Sequence, residues 1–457
     1  MLVDGCGLTQ AAGKLTASLQ RFSRGIALST SSPLLRRALC AVAAVPLAVA
    51  TLSAPAQAAG TTLDVATTGS DSNAGTAAKP LKTIQKAIDK ATPGTTIRVH
   101  KGTYDQQLII RKSGNPGAPI TVTAAGDGPV TVTSRQPAES CDNRQPSPNR
   151  TILVQAGSDY WTFSGLNLIN GAYINGGGAH EVYEWHDDLV DKGIWEPRRK
   201  IPGTFKNDPA GGAKAVEYME GVLHRKLNPS DHIEFIGNTI TGRGIHAAFA
   251  RYGAVKNNTI TAVTCGTGPG VWLITMSNFW EVSGNDVSHI ADSAGSHFMQ
   301  EGIRLGTASN YNKVVKNYVH DLGDDGRGIA TDVDASYNLF ENNNVVRAPI
   351  GYNDEMSGWG NIWRNNTVSN FRILGFGFRM KDRVLKLPSK DTSTHYSIVT
   401  GNKALSPGGG AAGLSIGAIA GSKFENNTFG KINLGQYVAG YWAKQGNTWN
   451  GTTQPPR

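Results

Sequence analysis

The stretch FIGNTI (235–240) decides the fold, because it returns. VKNNTI (255–260), VSGNDV (282–287), VVKNYV (314–319), FENNNV (340–345), WRNNTV (363–368), VTGNKA (399–404), FENNTF (424–429) and KQGNTW (444–449) follow the same pattern. Taking Asn238, Asn258, Asn285, Asn317, Asn343, Asn366, Asn402, Asn427 and Asn447 as equivalent gives spacings of 20, 27, 32, 26, 23, 36, 25 and 20 residues. A period in the twenties that varies by insertion is the mark of a solenoid. Each unit holds short β-branched or aromatic runs of period two, separated by Gly, Asn and Asp. No unit has a helix-length amphipathic run, which excludes leucine-rich, ankyrin and tetratricopeptide arrays. The expected fold is all-β, a parallel β-helix. Its equivalent positions stack at the strand spacing of about 4.8 Å. An Asn at the same bend of each coil can then bond the backbones above and below, and Asn tolerates the left-handed backbone of such bends.

Outward from this array, the N-terminal 58 residues read as a secretory signal. Arg36-Arg37 precede the apolar run LCAVAAVPLAVATL, which ends at Ala56-Gln57-Ala58, with cleavage expected before Ala59. The run is too short for a membrane span. Export to the extracellular side of a bacterial cell is the expected localisation. Removing the signal takes away five Lys/Arg and one acid, lowering the net charge from +9 to +5. The remaining residues, 59–457, fit one solenoid domain. Of the cysteines only Cys141 and Cys265 remain, and whether they pair is open. A mildly basic, Gly- and Asn-rich exported chain suits an acidic extracellular polysaccharide. Nucleic acid does not fit, since no Lys/Arg run is interleaved with aromatics. A monomer is expected, with a trimer left open.

Residues 59–135 open the solenoid. A short amphipathic helix is predicted from Leu81 to Ala91, with Leu81, Ile84, Ala87, Ile88 and Ala91 on one face. Such a helix can cap the open end of the stack. Strands are predicted at TTIRVH, QLIIRK, ITVTAA and VTVTS. Residues 171–230 break the ladder with an insertion rich in His, acid and Trp, a candidate binding face.

Stacking also aligns the strands that follow Gly: GIHAAFAR, GVWLI, GIRLG, GIATDVD, IGYNDE and GFGFRMK. With Ile245, Val271, Ile303, Ile329 and Phe376 inward, alternation turns His246, Trp272, Arg304, Asp332, Asp334, Asn353, Glu355, Arg379 and Lys381 outward. With Arg327 beside them, they form a mixed-charge strip on one sheet. β-Elimination of a uronic-acid polymer needs the carboxylate neutralised, the C5 proton removed and the leaving oxygen protonated or stabilised. Lys381 or Arg379 is the expected base and Arg304 the carboxylate partner. Trp272, His246, Asn353 and Arg327 are expected to bind substrate. Asp332, Asp334 and Glu355 are oxygen ligands of the type Ca²⁺ prefers.

The segment GSDSNAGTAAKPLKTIQKAID…PGTTIRVHKGTY (69–104) resembles the N-terminal module of secreted right-handed β-helix proteins, among them polysaccharide lyases of families six and nine and their pectate-lyase-like relatives. With the Asn array, the resemblance covers most of residues 60–450. It implies a right-handed coil and action on a polysaccharide. HDLGDDGRGIATDVD (320–334) resembles the acidic calcium segment of family-nine lyases as far as Asp324-Asp325-Gly326, which implies a calcium role for Asp324 and Asp325. The family's following Asp and downstream Lys are not in the expected phrase. The family-six pattern of paired glutamates, Lys-Ser and Arg-His-Gly is absent. FRMKD (378–382) resembles the Arg-x-Lys of β-helix polygalacturonases without their Gly-His-Gly. Two other readings therefore stand beside the lyase: an inverting glycoside hydrolase using Asp332 and Glu355, and a non-catalytic carbohydrate-binding β-helix.

Overall fold

The computed structural model describes residues 60–134, 150–178, 217, 220, 221, 223–263, 268–290, 300–323, 326–332, 334–355, 358–378, 394–417, 419–434 and 439–456. The signal segment, Cys141, Cys265, Asp324, Asp325, Arg379 and Lys381 lie outside them. The described residues fall within one compact unit. Among them, three long parallel sheets of 13, 11 and 10 strands form the faces of a right-handed β-helix. One coil shows the plan. Ile245–Ala248 lies in the 11-stranded sheet, Ala254–Lys256 in the 13-stranded sheet and Thr259–Val263 in the 10-stranded sheet. The chain then returns at Val271–Ile274, one strand further along.

The Asn array is built as a continuous hydrogen-bond ladder. The backbone N–H and Nδ2 of Asn238 both donate to Oδ1 of Asn258, at 2.9 and 3.0 Å. Nδ2 donates again to Phe163 O at 3.0 Å. The same double link runs through Asn285, Asn317, Asn343, Asn366 and Asn402 to Asn427. Buried amides satisfied this completely avoid the desolvation cost that an unpaired one incurs. The left-handed residue is the one before each ladder Asn: Gly237, Asn257, Gly284, Lys316, Asn342, Asn365, Gly401 and Asn426 all have φ between 53° and 67°. That corrects the expectation that the ladder Asn itself takes the strained conformation.

Asn447 does not belong to this ladder. Its Oδ1 accepts from Ser422 N at 3.0 Å, and it precedes Thr448–Trp449 of the 13-stranded sheet. It ends a second corner series that includes Asn312, Asn338 and Asn361. The two corners share one local grammar, a left-handed residue followed by a ladder residue, so their sequences look alike. At the second corner the left-handed residues are often aromatic. Tyr160, His232, Tyr252, Phe279, Tyr311 and Tyr337 stack in sequence with centroids 4.4–5.5 Å apart.

The core follows the inward prediction. Ile245, Val271, Ile303, Ile329 and Phe376 are fully buried, and Tyr352 joins their row. The capping helix is shorter than predicted, Ile84–Lys90, with Thr83 as N-cap accepting from Lys86 N. Leu81 instead forms an isolated parallel β-bridge to Val65, yet all five predicted apolar residues are buried. The predicted strands appear at Thr96–Val99, Leu108–Ile110, Ile120–Ala124 and Val130–Thr133. The insertion begins later than expected: Ala172–Asn175 is a strand of the 11-stranded sheet, paired with Ile245–Ala248.

Candidate functional site

The 11-stranded sheet carries one register row of outward side chains. Tyr173 pairs with His246, His246 with Trp272, Trp272 with Arg304, Arg304 with Ala330 and Ala330 with Asn353. The structure thus brings His246, Trp272, Arg304 and Asn353 together as alternation requires, and adds Tyr173. It does not leave them on open surface. Tyr173, His246, Trp272, Arg304 and Asn353 are each 5% exposed or less. Each ring covers the next: Tyr173 tilts against His246 at 5.0 Å, and His246 stacks on Trp272 at 4.3 Å and 17°. The Arg304 guanidinium sits 5.9 Å from the indole centroid, further along the same row. Both indole faces are occupied, so Trp272 offers a ligand its edge and Nε1–H rather than a stacking platform.

Beside this row is a buried ion network. Arg304 donates through Nη1 to Glu301 Oε1 at 2.7 Å and through Nη2 to Asp332. Arg327 reaches Glu301 Oε1 at 2.7 Å and Glu355 Oε1 at 3.3 Å, and Asn353 Nδ2 donates to Glu355 Oε1 at 2.7 Å. Burial works against the Arg304 charge, but Glu301, Asp332 and Glu355 outweigh it and hold its pKa above the ordinary arginine value. At His246 burial acts first and the Arg150 charge second, and together they hold its pKa well below the ordinary 6.5.

Glu301 and Tyr173 were missed in the sequence for physical reasons. A Cβ on Gly302 would meet Val319 inside the coil, and Ile303 is also buried. Two consecutive inward residues break the period of two and return Glu301 to the outer face. Tyr173 was hidden in what reads as the insertion. Asp334 leaves the strip: the strand ends at Thr331, and Asp334 is fully buried with φ 57°, so alternation no longer applies.

The outstanding feature of the row is its unsatisfied polar edge. His246 Nε2, Trp272 Nε1, Arg304 Nε, Arg327 Nε and Asn353 Oδ1 are buried without a hydrogen-bond partner. Such groups are scarce in folded proteins and point to a ligand's place. Two of them converge beside Gly306. A Cβ there would lie 3.8 Å from Arg304 Nε, 3.8 Å from Asp332 Cβ and 3.9 Å from Trp272 Nε1.

The described carboxylates do not fit a calcium ion. Asp332 and Glu355 are engaged by arginines, which compete for the lone pairs Ca²⁺ needs. Among the described residues no group of three or more His, Cys, Asp or Glu side chains gathers to hold a metal. The calcium expectation now rests on Asp324 and Asp325. No helix among the described residues is long and apolar enough to cross a membrane.

Residues 63–189 match the family described as "Pel9A-like, right handed beta helix region". This upholds the resemblance to pectate-lyase-like right-handed β-helix proteins carried by residues 69–104. Pectate lyase PEL9 of Emericella nidulans is 39% identical over 111 residues, 23% of this chain and 27% of that relative. The chain thus spans about a quarter of that protein's length. Among solved structures, a rhamnogalacturonan lyase aligns over 82% of this chain and 90% of its own at 16% identity and TM-score 0.47. A family 28 exopolygalacturonase of Yersinia enterocolitica aligns over 85% and 77% at 13% identity and TM-score 0.44. The family match includes Tyr173 and ends before His246.

Proposed function

We propose that this protein is a polysaccharide lyase that cleaves a uronic-acid-containing polysaccharide by β-elimination. The observation that carries the reading is the pair of unpartnered buried donors, Arg304 Nε and Trp272 Nε1, converging beside Gly306. Neither group can accept a hydrogen bond, so the missing partner must bring acceptor oxygens. A carboxylate does so with the charge that an arginine prefers. Donors fixed in a buried site stabilise the charge that builds on a uronate carboxylate as its C5 proton leaves, and they need no reorganisation to do it. The local likeness to a pectate lyase supports the same class of chemistry.

Arg379 and Lys381 lie outside the described residues, and their assignment as base rests on the sequence alone. The neutralising role goes to Arg304. The hydrolase reading is weaker because it needs a carboxylic acid ready to donate its proton. Asp332 and Glu355 both lie against arginines.

The test is to incubate the purified protein with a panel of polyuronides and mixed uronate–neutral polymers. Ultraviolet absorbance of the conjugated uronate and new reducing ends are followed together. Both rising together is the expected result. Reducing ends without absorbance would transfer the assignment to a hydrolase, and neither signal with retained polymer binding would leave a binding protein.

A further inference from the structure

Resting on the lyase reading above, we infer that His246 is a catalytic residue that takes the C5 proton through Nε2. His246 sits in the same row as the carboxylate donors, on the strand next to Trp272 and two strands from Arg304. Its imidazole and the Arg304 guanidinium flank the indole along the stack, 4.3 Å and 5.9 Å from it. In the proposed complex a uronate held by Arg304 Nε and Trp272 Nε1 turns the carbon bonded to its carboxylate toward the neighbouring row position. That position is His246, whose Nε2 is buried and without a partner.

His246 differs from His100 and His320. His100 lies between Asp64 and Asp127, and His320 between Asp286 and Asp321, so carboxylates engage both ring nitrogens of each. Among the described residues, the groups facing His246 are the Tyr173 ring, the Trp272 indole and the guanidinium of Arg150, none of them an acid. Burial and Arg150 keep the imidazole neutral at neutral pH, the form able to accept a proton.

In the step, the C5–H bond breaks and its proton goes to Nε2. The electron pair becomes the C4–C5 double bond, and the C4–O4 bond breaks. The imidazolium returns the proton to the leaving oxygen, so His246 ends neutral and no co-reactant is consumed.

The test compares His246→Asn and His246→Gln with the parent protein. The variants are expected to lose at least about 100-fold in kcat, the contribution of a positioned base. Their calorimetric Kd for a uronic oligosaccharide should stay within about threefold, since the carboxylate donors remain. A folded variant with full kcat, measured beside a parent protein that forms unsaturated ends, overturns this inference and leaves the lyase reading intact. A parent protein that forms no unsaturated ends overturns the lyase reading itself. Should both variants unfold, the parent's pH profile decides. Because burial and Arg150 lower the His246 pKa, loss of kcat/KM on acidification is expected only well below pH 6.5. A rate that appears only in the range of lysine titration overturns the assignment.

Discussion

The indole of Trp272 lies parallel to the imidazole of His246, 4.3 Å away, with the Arg304 guanidinium 5.9 Å from the same indole. Three residues on three successive strands thus form one continuous column whose buried edge carries the unpartnered His246 Nε2, Trp272 Nε1 and Arg304 Nε. In a parallel β-helix that continuity follows from register: equivalent positions must stack, so a site is written one residue per coil.

Arg304→Lys keeps the charge but removes Nε and the planar fork. The variant is expected to fold and to lose about 10²- to 10³-fold in kcat/KM on a uronic polymer, the scale of one lost transition-state donor. Arg304→Ala leaves Glu301 and Asp332 without that partner and should also lose about 3–5 kcal/mol of stability in urea unfolding.

Gly306→Val places a side chain beside Arg304 Nε and Trp272 Nε1, where a Cβ alone makes ordinary contacts of 3.8–3.9 Å. Gly306 is buried, so the γ-carbons beyond that Cβ should cost about 1–3 kcal/mol of stability. Calorimetric affinity for a uronic oligosaccharide should fall by about tenfold or more. Unchanged affinity would place the ligand elsewhere.

Asn343→Ala removes a side chain that donates to Val314 O and Asn366 Oδ1 and accepts from Asn317. Several buried groups lose their partners, at about 1–3 kcal/mol each, so a loss of several kcal/mol is expected from the urea midpoint. Asn427→Ala, at the less buried end of the ladder, should cost less.

The opening coil carries a pH-dependent strap. The hydrogen bond to Asp127 is the largest cause raising the His100 pKa above 6.5, so its stabilisation is complete below pH 6.5 and fades as pH rises through the raised value. Burial opposes ionisation of Asp64, but Arg98 and His100 outweigh it, and the His100 hydrogen bond leads the lowering of Asp127. Those contributions are complete above pH 3.8 and fade as pH falls through the lowered values. His100→Gln should therefore cost most between about pH 4 and 6.5, read as the stability difference from the parent across pH.

The fold was legible because each coil repeats its constraint. An Asn that must satisfy two backbones recurs wherever the coil turns, and the inward Ile245–Val271–Ile303–Ile329 column recurs with it. Corner identity was less legible. Asn447 and Asn427 both follow a left-handed residue, and only pairing with Thr448–Trp449 assigns Asn447 to the other corner. Strict alternation found His246, Trp272, Arg304 and Asn353. It failed at Glu301, where Gly302 and Ile303 both face inward, and at Asp334, where the strand had already ended. Burial of the strip was not legible at all, because alternation separates inward from outward positions and says nothing of what covers the outward ones.

The mass of the products tests the central claim most directly, with a uronic polymer digested in the presence and absence of chelator. Elimination leaves the fragments together equal in mass to the parent chain, with one unsaturated end per cut, and this is the predicted result in both conditions because Arg304 neutralises the carboxylate. Fragments heavier by one water per cut would show hydrolysis and contradict the account. Elimination abolished by chelator would contradict the assignment to Arg304 and move neutralisation to a calcium site at Asp324 and Asp325.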